Sequence, residues 1–141
     1  MQPPPLQIRR FNQQDTDAAI ALWRECGLVR PPNDPHRDIA AKLAFQPELF
    51  LVAELAAEVV GSVMAGYEGH RGWINYLAVK PALQRSNYGA QLMQAAEELL
   101  CPLGCQKINL QVRTNNTAVL GFYEKIGYKP DDVVSLGKRL D

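Results

Sequence analysis

The spacing of hydrophobic and polar positions along the chain predicts an ordered series of strands and helices. Strand-like patterns cover residues 6–11, 49–55, 58–67, 73–79 and 108–113. Apolar positions at helical spacing predict helices over residues 15–26, 37–45, 88–103 and 118–126, three of which end at a glycine. Asp15 is expected to cap the first helix, and residues 128–140 are expected to form a final strand or hairpin edge. The resulting order, β-α-α-β-β-β-α-β-α-β, predicts an α/β fold with a mixed sheet and helices on both faces.

Length, charge and cysteine content narrow the class of protein. The 141 residues predict a single domain over residues 1–141, with 47% hydrophobic residues to build its core. Fifteen basic and fifteen acidic side chains cancel, so no net field favours a nucleic acid or a membrane. Three cysteines without zinc spacing predict reduced thiols in a cytoplasmic protein and no metal. The proline-rich start lacks the regions of a signal peptide and is expected to be a frayed tail.

The connection between residues 73–79 and the helix at 88–103 is rich in backbone donors. It reads Gln-Arg-Ser-Asn-Tyr-Gly-Ala over residues 84–90. Unpaired N–H groups at the start of a helix, together with the helix dipole, favour a bound anion such as a pyrophosphate. The loop is neither the glycine fingerprint of dinucleotide-binding proteins nor a P-loop, because it lacks both G-x-G-x-x-G and a Gly-Lys-Ser/Thr ending.

Two motifs resemble those of the GNAT acetyltransferases. The first contains Leu-Ala-Val-Lys-Pro at residues 77–81, followed by Gln84-x-x-Asn87-x-Gly89, and it resembles the coenzyme A pyrophosphate loop Q/R-x-x-G-x-G/A. The second resembles the motif that follows in that family, with Asn115, Ala118, Tyr123, Lys125 and Gly127 at the expected spacings. Residues 30–35, 69–72 and 135–140 also resemble the bacterial YpeA-type subgroup.

The resemblance implies a fold and a cosubstrate. The fold would be a single-domain GNAT-like mixed, mostly antiparallel sheet, with a splayed parallel strand pair and helices on both faces. The cosubstrate would be acetyl-CoA, with its pantetheine arm along the strand edge left open near Leu77 and Val79. The residues expected to bind the cofactor are Leu77, Val79, Gln84, Arg85, Ser86, Asn87, Tyr88, Gly89, Ala90 and Asn115. Asn115 has an alternative role as the cap of the helix that follows it.

One position departs from the family pattern. The family usually has glycine where this chain has Asn87. Among residues with a side chain, asparagine adopts the left-handed region most readily, so the turn can be kept at a strain on the order of 1 kcal/mol. We therefore expect any effect of Asn87 to fall on cofactor affinity more than on the fold.

The resemblance and the side chains suggest catalytic and acceptor-binding residues. Acetyl transfer to an amine needs a base for the ammonium and a proton for the leaving thiolate. Tyr123 is the candidate general acid by its place in the second motif, and its alternative role is packing on an amphipathic helix. Glu68 is the candidate general base, with His70 as another, and solvated turn residues are the alternative. The amine cation would bind at Asn33, Asp34 and Asp38, whereas Asn33 or Asp34 could instead cap the helix that follows.

Three functions remain open from the sequence. The leading one is an N-acetyltransferase that moves an acetyl group from acetyl-CoA to a primary amine by direct attack in a ternary complex. The second is a non-catalytic acyl-CoA-binding sensor or regulatory module, and the third is an interaction domain with a decayed cofactor site. The acceptor could be a small molecule or a protein, and a homodimer is left open.

Overall fold

The computed structural model describes residues 5–141, and the chain divides into two compact units. The first unit extends to Leu110 and the second begins at Gln111. The frayed tail predicted for the start of the chain falls almost entirely outside the described residues. The single domain predicted over residues 1–141 stays a prediction.

The first unit is built on a five-stranded sheet in the order β1-β2-β3-β4-β5. These strands are Gln7–Arg10, Phe50–Leu55, Glu58–Tyr67, Gly72–Val79 and Ile108–Leu110. The first four strands pair antiparallel with their neighbours, and β4 pairs parallel with β5. Within the described residues, helices α1 to α4 cover Thr16–Glu25, Pro35–Ala44, Tyr88–Leu100 and Thr117–Lys125, of which α4 lies in the second unit. The mixed, mostly antiparallel sheet predicted from the sequence is confirmed.

Helices cover both faces of the sheet. Ser62 of β3 accepts a hydrogen bond from Trp23 Nε1 of α1 at 2.8 Å, so this side chain points to the α1 face. The preceding residue, Gly61, faces the opposite side, because successive strand residues alternate between faces. A side-chain carbon at Gly61 would lie only 2.9 Å from Leu92 Cδ1 of α3. The sheet and α3 therefore approach so closely at this point that only glycine fits.

A bulge interrupts β4 opposite the middle of β3. Ser62 pairs with Ala78 and Met64 pairs with Asn75, so β4 carries one extra residue between these pairs. Within the bulge, Tyr76 has a φ of 52°, which is unusual for a residue with a side chain. Ser62 Oγ donates to the Tyr76 carbonyl at 2.8 Å, and the Tyr76 ring stacks on Trp23 with centroids 3.9 Å apart. These contacts hold Tyr76 in its left-handed conformation.

The final strand predicted over residues 128–140 is wrong. The described residues beyond Lys125 contain no strand. Their apolar side chains are 75–94% exposed at Val133, Val134, Leu136 and Leu140. A strand is stabilised by a paired neighbour and a covered apolar face, and this segment has neither a ladder partner nor buried apolar residues.

The predicted side-chain cap at Asp15 is also wrong. Asp15 occupies the position before α1 but makes no capping hydrogen bond to that helix. Its carboxylate instead accepts two hydrogen bonds from Arg9, at 2.8 and 2.9 Å, and one from the Asn12 backbone N–H at 2.9 Å. The stronger charged partner therefore determines where this buried carboxylate points.

Candidate active site

The loop before α3 presents unpaired backbone donors. Asn87 precedes the helix with a φ of 67° in the left-handed region, and its side chain makes no capping bond. Within the described residues, the backbone N–H groups of Arg85, Asn87, Tyr88, Gly89 and Ala90 have no hydrogen-bond acceptor. Such a group of amides at a helix start is suited to an anion. The left-handed turn predicted at Asn87 is confirmed, whereas the cofactor contacts of the loop stay predictions.

Gln84 anchors this loop to the end of β4. Its side-chain Nε2 donates to the Val79 carbonyl at 3.1 Å. The Ser86 N–H donates to the Leu83 carbonyl at 3.1 Å, which closes the turn. Gln84 thus positions the amides that follow it, and its predicted contact with a cofactor stays a prediction.

Strand β4 has an open edge, formed by residues 75–79. Its pairing with β5 covers only residues 72–74, and no other described strand lies along the remaining edge. Lys80 donates its backbone N–H to Val60 of β3 at 2.8 Å. Because backbone groups alternate in direction along an antiparallel strand, we expect the N–H group of Val79 to point away from β3. Val79 is thus directed at the open edge, and Leu77, the other residue predicted to pair with a pantetheine arm, lies in the bulge beside that edge.

A cleft of about 630 Å³ lies between α2 and the bulged part of β4. This size is typical of sites for small ligands. Its lining residues are Leu28, Asn33, Asp38, Ala41, Lys42, Phe45, Met64, Asn75 and Tyr76. Of the three predicted acceptor-binding residues, Asn33 and Asp38 line the cleft and Asp34 does not.

Asp38 and Asp34 have different surroundings. Asp38 Oδ2 accepts a hydrogen bond from the Tyr76 hydroxyl at 2.5 Å. Burial, together with this contact to Asp38, raises the pKa of Tyr76, so its hydroxyl stays a donor. Asp34 Oδ1 accepts from the backbone N–H groups of His36 and Arg37, at 3.0 and 3.4 Å. The capping alternative is confirmed for Asp34, whereas acceptor binding by Asp38 and Asn33 stays a prediction.

Lys42 is a cleft residue that the sequence reasoning missed. It is only 8% exposed, although it is charged. Desolvation by burial lowers the pKa of its ammonium group. The available signal was its position: Pro35, Ile39 and Lys42 share the buried side of α2 at helical spacing. A lysine on an apolar helix stripe is unusual enough to be singled out.

Glu68 stabilises the turn between β3 and β4. Its Oε1 accepts from the His70 backbone N–H at 2.9 Å and also from the Arg71 backbone N–H. These bonds, the Arg71 bond first, hold the pKa of Glu68 below its usual value, although the group is fully exposed. A lower pKa makes a carboxylate a weaker base. This geometry agrees with the alternative that Glu68 is a solvated residue of the turn, and general-base catalysis by Glu68 stays a prediction.

The second unit contains Tyr123 and Asn115. The Tyr123 ring packs edge-on against Phe122 and Tyr128, with centroids 5.1 and 5.7 Å away. Burial raises the pKa of Tyr123 to about 12, so the phenol is protonated at neutral pH, as a general acid must be. Asn116, not Asn115, caps α4 by accepting from the Val119 N–H. The capping alternative for Asn115 is therefore wrong, and its cofactor contact stays a prediction.

Across residues 5–141, no group of three or more His, Cys, Asp or Glu side chains could hold a metal ion. No helix in the same range combines the length and apolar character that crossing a membrane requires.

Comparisons with known proteins identify the family. The model of the acetyltransferase (GNAT) family matches residues 16–128. An acetyltransferase of Pectobacterium atrosepticum is 50% identical over 135 residues, and one of Yersinia enterocolitica is 48% identical over 135 residues; each match covers 96% of both chains.

Solved structures share the fold. A PaiA N-acetyltransferase from Thermoplasma acidophilum in complex with coenzyme A matches with a TM-score of 0.78 and 20% identity, over 92% of this chain and 93% of its own. An aminoglycoside N-acetyltransferase, AAC(6')-Iy in complex with CoA, matches with a TM-score of 0.79 and 15% identity, over 99% of this chain and 98% of its own. Together with the family match and the close relatives, this places the chain in the GNAT acetyltransferase family, as an acyltransferase.

Proposed function

We propose that the protein is an acetyl-CoA-dependent N-acetyltransferase that acetylates a primary amine by direct attack in a ternary complex. The observation that carries the proposal is that the open edge of β4 leads directly to the unpaired backbone amides of residues 84–90. An extended pantetheine arm could pair with Leu77 and Val79 along that edge, as an added strand does. The pyrophosphate would then meet the unpaired amides at the start of α3. The two solved relatives that contain coenzyme A support the choice of cosubstrate.

The cleft beside the open edge supplies a place for the acceptor. Asp38 and Tyr76 line it where β4 bulges, next to Leu77. An ammonium ion would be attracted by the Asp38 carboxylate, and it must then lose a proton before it attacks the thioester. An unpaired N–H at the open edge would stabilise the oxyanion that forms. Tyr123 is the proposed proton donor to the departing thiolate, and Glu68, acting through water, is the proposed base.

Calorimetry tests the cosubstrate part of the proposal. Coenzyme A should bind much more tightly than dephosphorylated pantetheine, because only coenzyme A reaches the amides of residues 84–90. Equal affinities would contradict the placement of the pyrophosphate. Thiol release from acetyl-CoA with a panel of primary amines then tests turnover. Tight binding of acetyl-CoA without turnover of any amine would favour the sensor module over the enzyme.

Tyr123→Phe tests the general acid. The substitution keeps the ring packing and removes only the hydroxyl, which makes no hydrogen bond within the described residues. We expect turnover to fall roughly 100-fold or more, with the melting temperature and acetyl-CoA affinity almost unchanged. Unchanged turnover when chemistry is rate-limiting would leave Tyr123 with a packing role only.

Asp38→Asn and Asp34→Asn form a matched pair for the acceptor site. Asp38→Asn removes the charge inside the cleft, so the KM for the amine should rise roughly tenfold or more while the KM for acetyl-CoA stays constant. Asp34→Asn removes the same charge from the helix cap, where asparagine caps as well as aspartate. We expect it to change the KM for the amine less. Equal effects of both variants would indicate a long-range charge effect instead of a contact with Asp38.

A further inference from the structure

The wall of the cleft contains a buried cation without an acidic partner. Lys42 is 8% exposed, lines the cleft, and forms no ion pair with any described residue. Its ammonium lies 5.9 Å from the centroid of the Phe45 ring, and a methyl group added at Gly66 would lie 3.6 Å from it. The Phe45 ring and the bare stretch of β3 at Gly66 thus lie beside the ammonium, and no described carboxylate pairs with it.

A lysine with so little exposed surface is unusual in a folded protein, because lysine is almost never this buried without a charged partner. Among the described residues no fully buried side-chain nitrogen lacks a hydrogen-bond partner, so the Lys42 ammonium keeps its exposure in the cleft, where a ligand can reach it. Burial lowers the pKa of Lys42, and the nearest compensating charge acts at longer range from the exposed Glu48. A ligand that brings an anionic group would restore the missing partner.

Lys42 and Asp38 give the cleft two poles of opposite charge. They are four residues apart on α2 and both line the cleft, yet they form no ion pair with each other. Asp38 is held by the Tyr76 hydroxyl beside the bulge of β4, whereas Lys42 lies over Phe45 at the end of α2. A molecule with an ammonium and an anionic group could satisfy both poles.

We propose that the acceptor is a small amine that also carries an anionic group, a carboxylate or a phosphate, and that Lys42 binds this group. The inference rests on the proposed function, because it assigns a substrate class to the same cleft. The amine end lies at Asp38, next to the open edge of β4 where the thioester would be attacked. The anionic end lies at Lys42. Amino acids are the simplest members of this class.

Matched pairs of acceptors test the assignment. Each of the twenty amino acids is compared with the amine that lacks its carboxylate, such as L-phenylalanine with phenethylamine and L-lysine with cadaverine. Phosphoethanolamine with ethanolamine provides the phosphate arm. With the wild type, the best anionic amine should exceed its partner in kcat/KM by roughly 10- to 100-fold, as expected for one charged hydrogen bond. If the kcat/KM ratio of anionic to neutral amine is larger for the amino acids, the anionic group is a carboxylate; if it is larger for phosphoethanolamine, the group is a phosphate.

Variants of Lys42 link that preference to the residue. Lys42→Met should abolish the preference by lowering kcat/KM for the anionic amine roughly 10- to 100-fold more than for its neutral partner. Lys42→Arg keeps the charge and should retain most of the preference. Since Lys42 forms no ion pair within the described residues and methionine keeps the length of its apolar stem, the melting temperature of Lys42→Met should equal that of the wild type, so lost activity would not reflect unfolding. A preference that survives in Lys42→Met, or an equal loss for both amines, would overturn the assignment.

A binding measurement separates this inference from the proposed function. The same amines are titrated by calorimetry into the protein saturated with coenzyme A. If anionic amines bind in a way that depends on Lys42 but none is acetylated, the proposed function fails and the anion site stands. If neutral amines are acetylated as efficiently as anionic ones, the proposed function stands and the anion site is refuted.

Discussion

Replacing Ser62 with alanine should destabilise the fold far more than the loss of one oxygen atom suggests. Ser62 is fully buried, accepts from Trp23 Nε1 at 2.8 Å and donates to the Tyr76 carbonyl at 2.8 Å. Alanine would leave a buried indole N–H and a partly buried carbonyl without these partners. Because Tyr76 holds a φ of 52° beside this carbonyl, the bulge of β4 would lose one of its restraints.

The expected cost follows from the two unsatisfied groups. A fully buried donor or acceptor that loses its partner costs about 1–3 kcal/mol, and a partly buried one costs less, so the free energy of unfolding should fall by about 2–5 kcal/mol. Alanine fits the space of serine, so no cavity cost is added. Such a loss is a large part of the roughly 5–15 kcal/mol by which native proteins are stable.

Urea unfolding and a double-mutant cycle provide the assay. Trp23→Phe removes the indole N–H, so Ser62→Ala in that background leaves one fewer group unsatisfied and should cost about 1–2 kcal/mol less. The cavity left by Trp23→Phe cancels in the cycle. A total cost below about 1 kcal/mol, or the same cost in both backgrounds, would refute the coupling between Trp23, Ser62 and Tyr76.

Three further predictions follow from single residues. Ala57→Gly should raise the free energy of unfolding by about 1 kcal/mol, because Ala57 has a φ of 66° in the turn after β2; a urea midpoint that does not rise would contradict this. Asn87→Gly should bind coenzyme A at least as tightly in calorimetry, since glycine adopts the φ of 67° without strain, and a tenfold loss would reveal a contact of the amide. The hydrogen-bonded guanidinium of Arg9 holds the pKa of Asp15 below its usual value. The Arg9–Asp15 pair therefore stabilises the fold fully at a pH above the usual pKa of aspartate, and this stabilisation is lost as the pH falls through the lowered pKa of the folded state. Asp15→Asn should therefore flatten the decline in melting temperature below about pH 4, and an unchanged decline would show that other carboxylates cause it.

Local patterns were sufficient for most of the regular structure. The helical stripe after Tyr88, the glycine at 104 and the two hydrophobic runs around the turn after Leu55 predicted α3, β2 and β3 to within a few residues. These signals are local, because capping, periodicity and turn chemistry act within a few residues of each other. The loop of residues 84–90 was predictable for the same reason.

Features that depend on distant contacts were not predictable. An aromatic residue rarely adopts a positive φ, and Tyr76 does so because Ser62 and Trp23, distant in sequence, hold it there. Lys42 was missed because a lysine on a helix is expected in solvent, and only the packing of α2 buries it. The strand expected over residues 128–140 is absent for the converse reason: its local composition favours a strand, but no distant strand pairs with it.

The close packing at Gly61 links the interior of the fold to the loop of residues 84–90, where we propose that coenzyme A binds. Leu92 is fully buried, so it has no room to yield to a side chain added at Gly61. Even a methyl group there would push α3 off the sheet, and the helix would carry the amides of residues 84–90 with it. Gly61 contacts no proposed ligand, yet Gly61→Ala should weaken coenzyme A binding even while the protein stays folded. A glycine in the core would then set the distance between the sheet and the loop of residues 84–90.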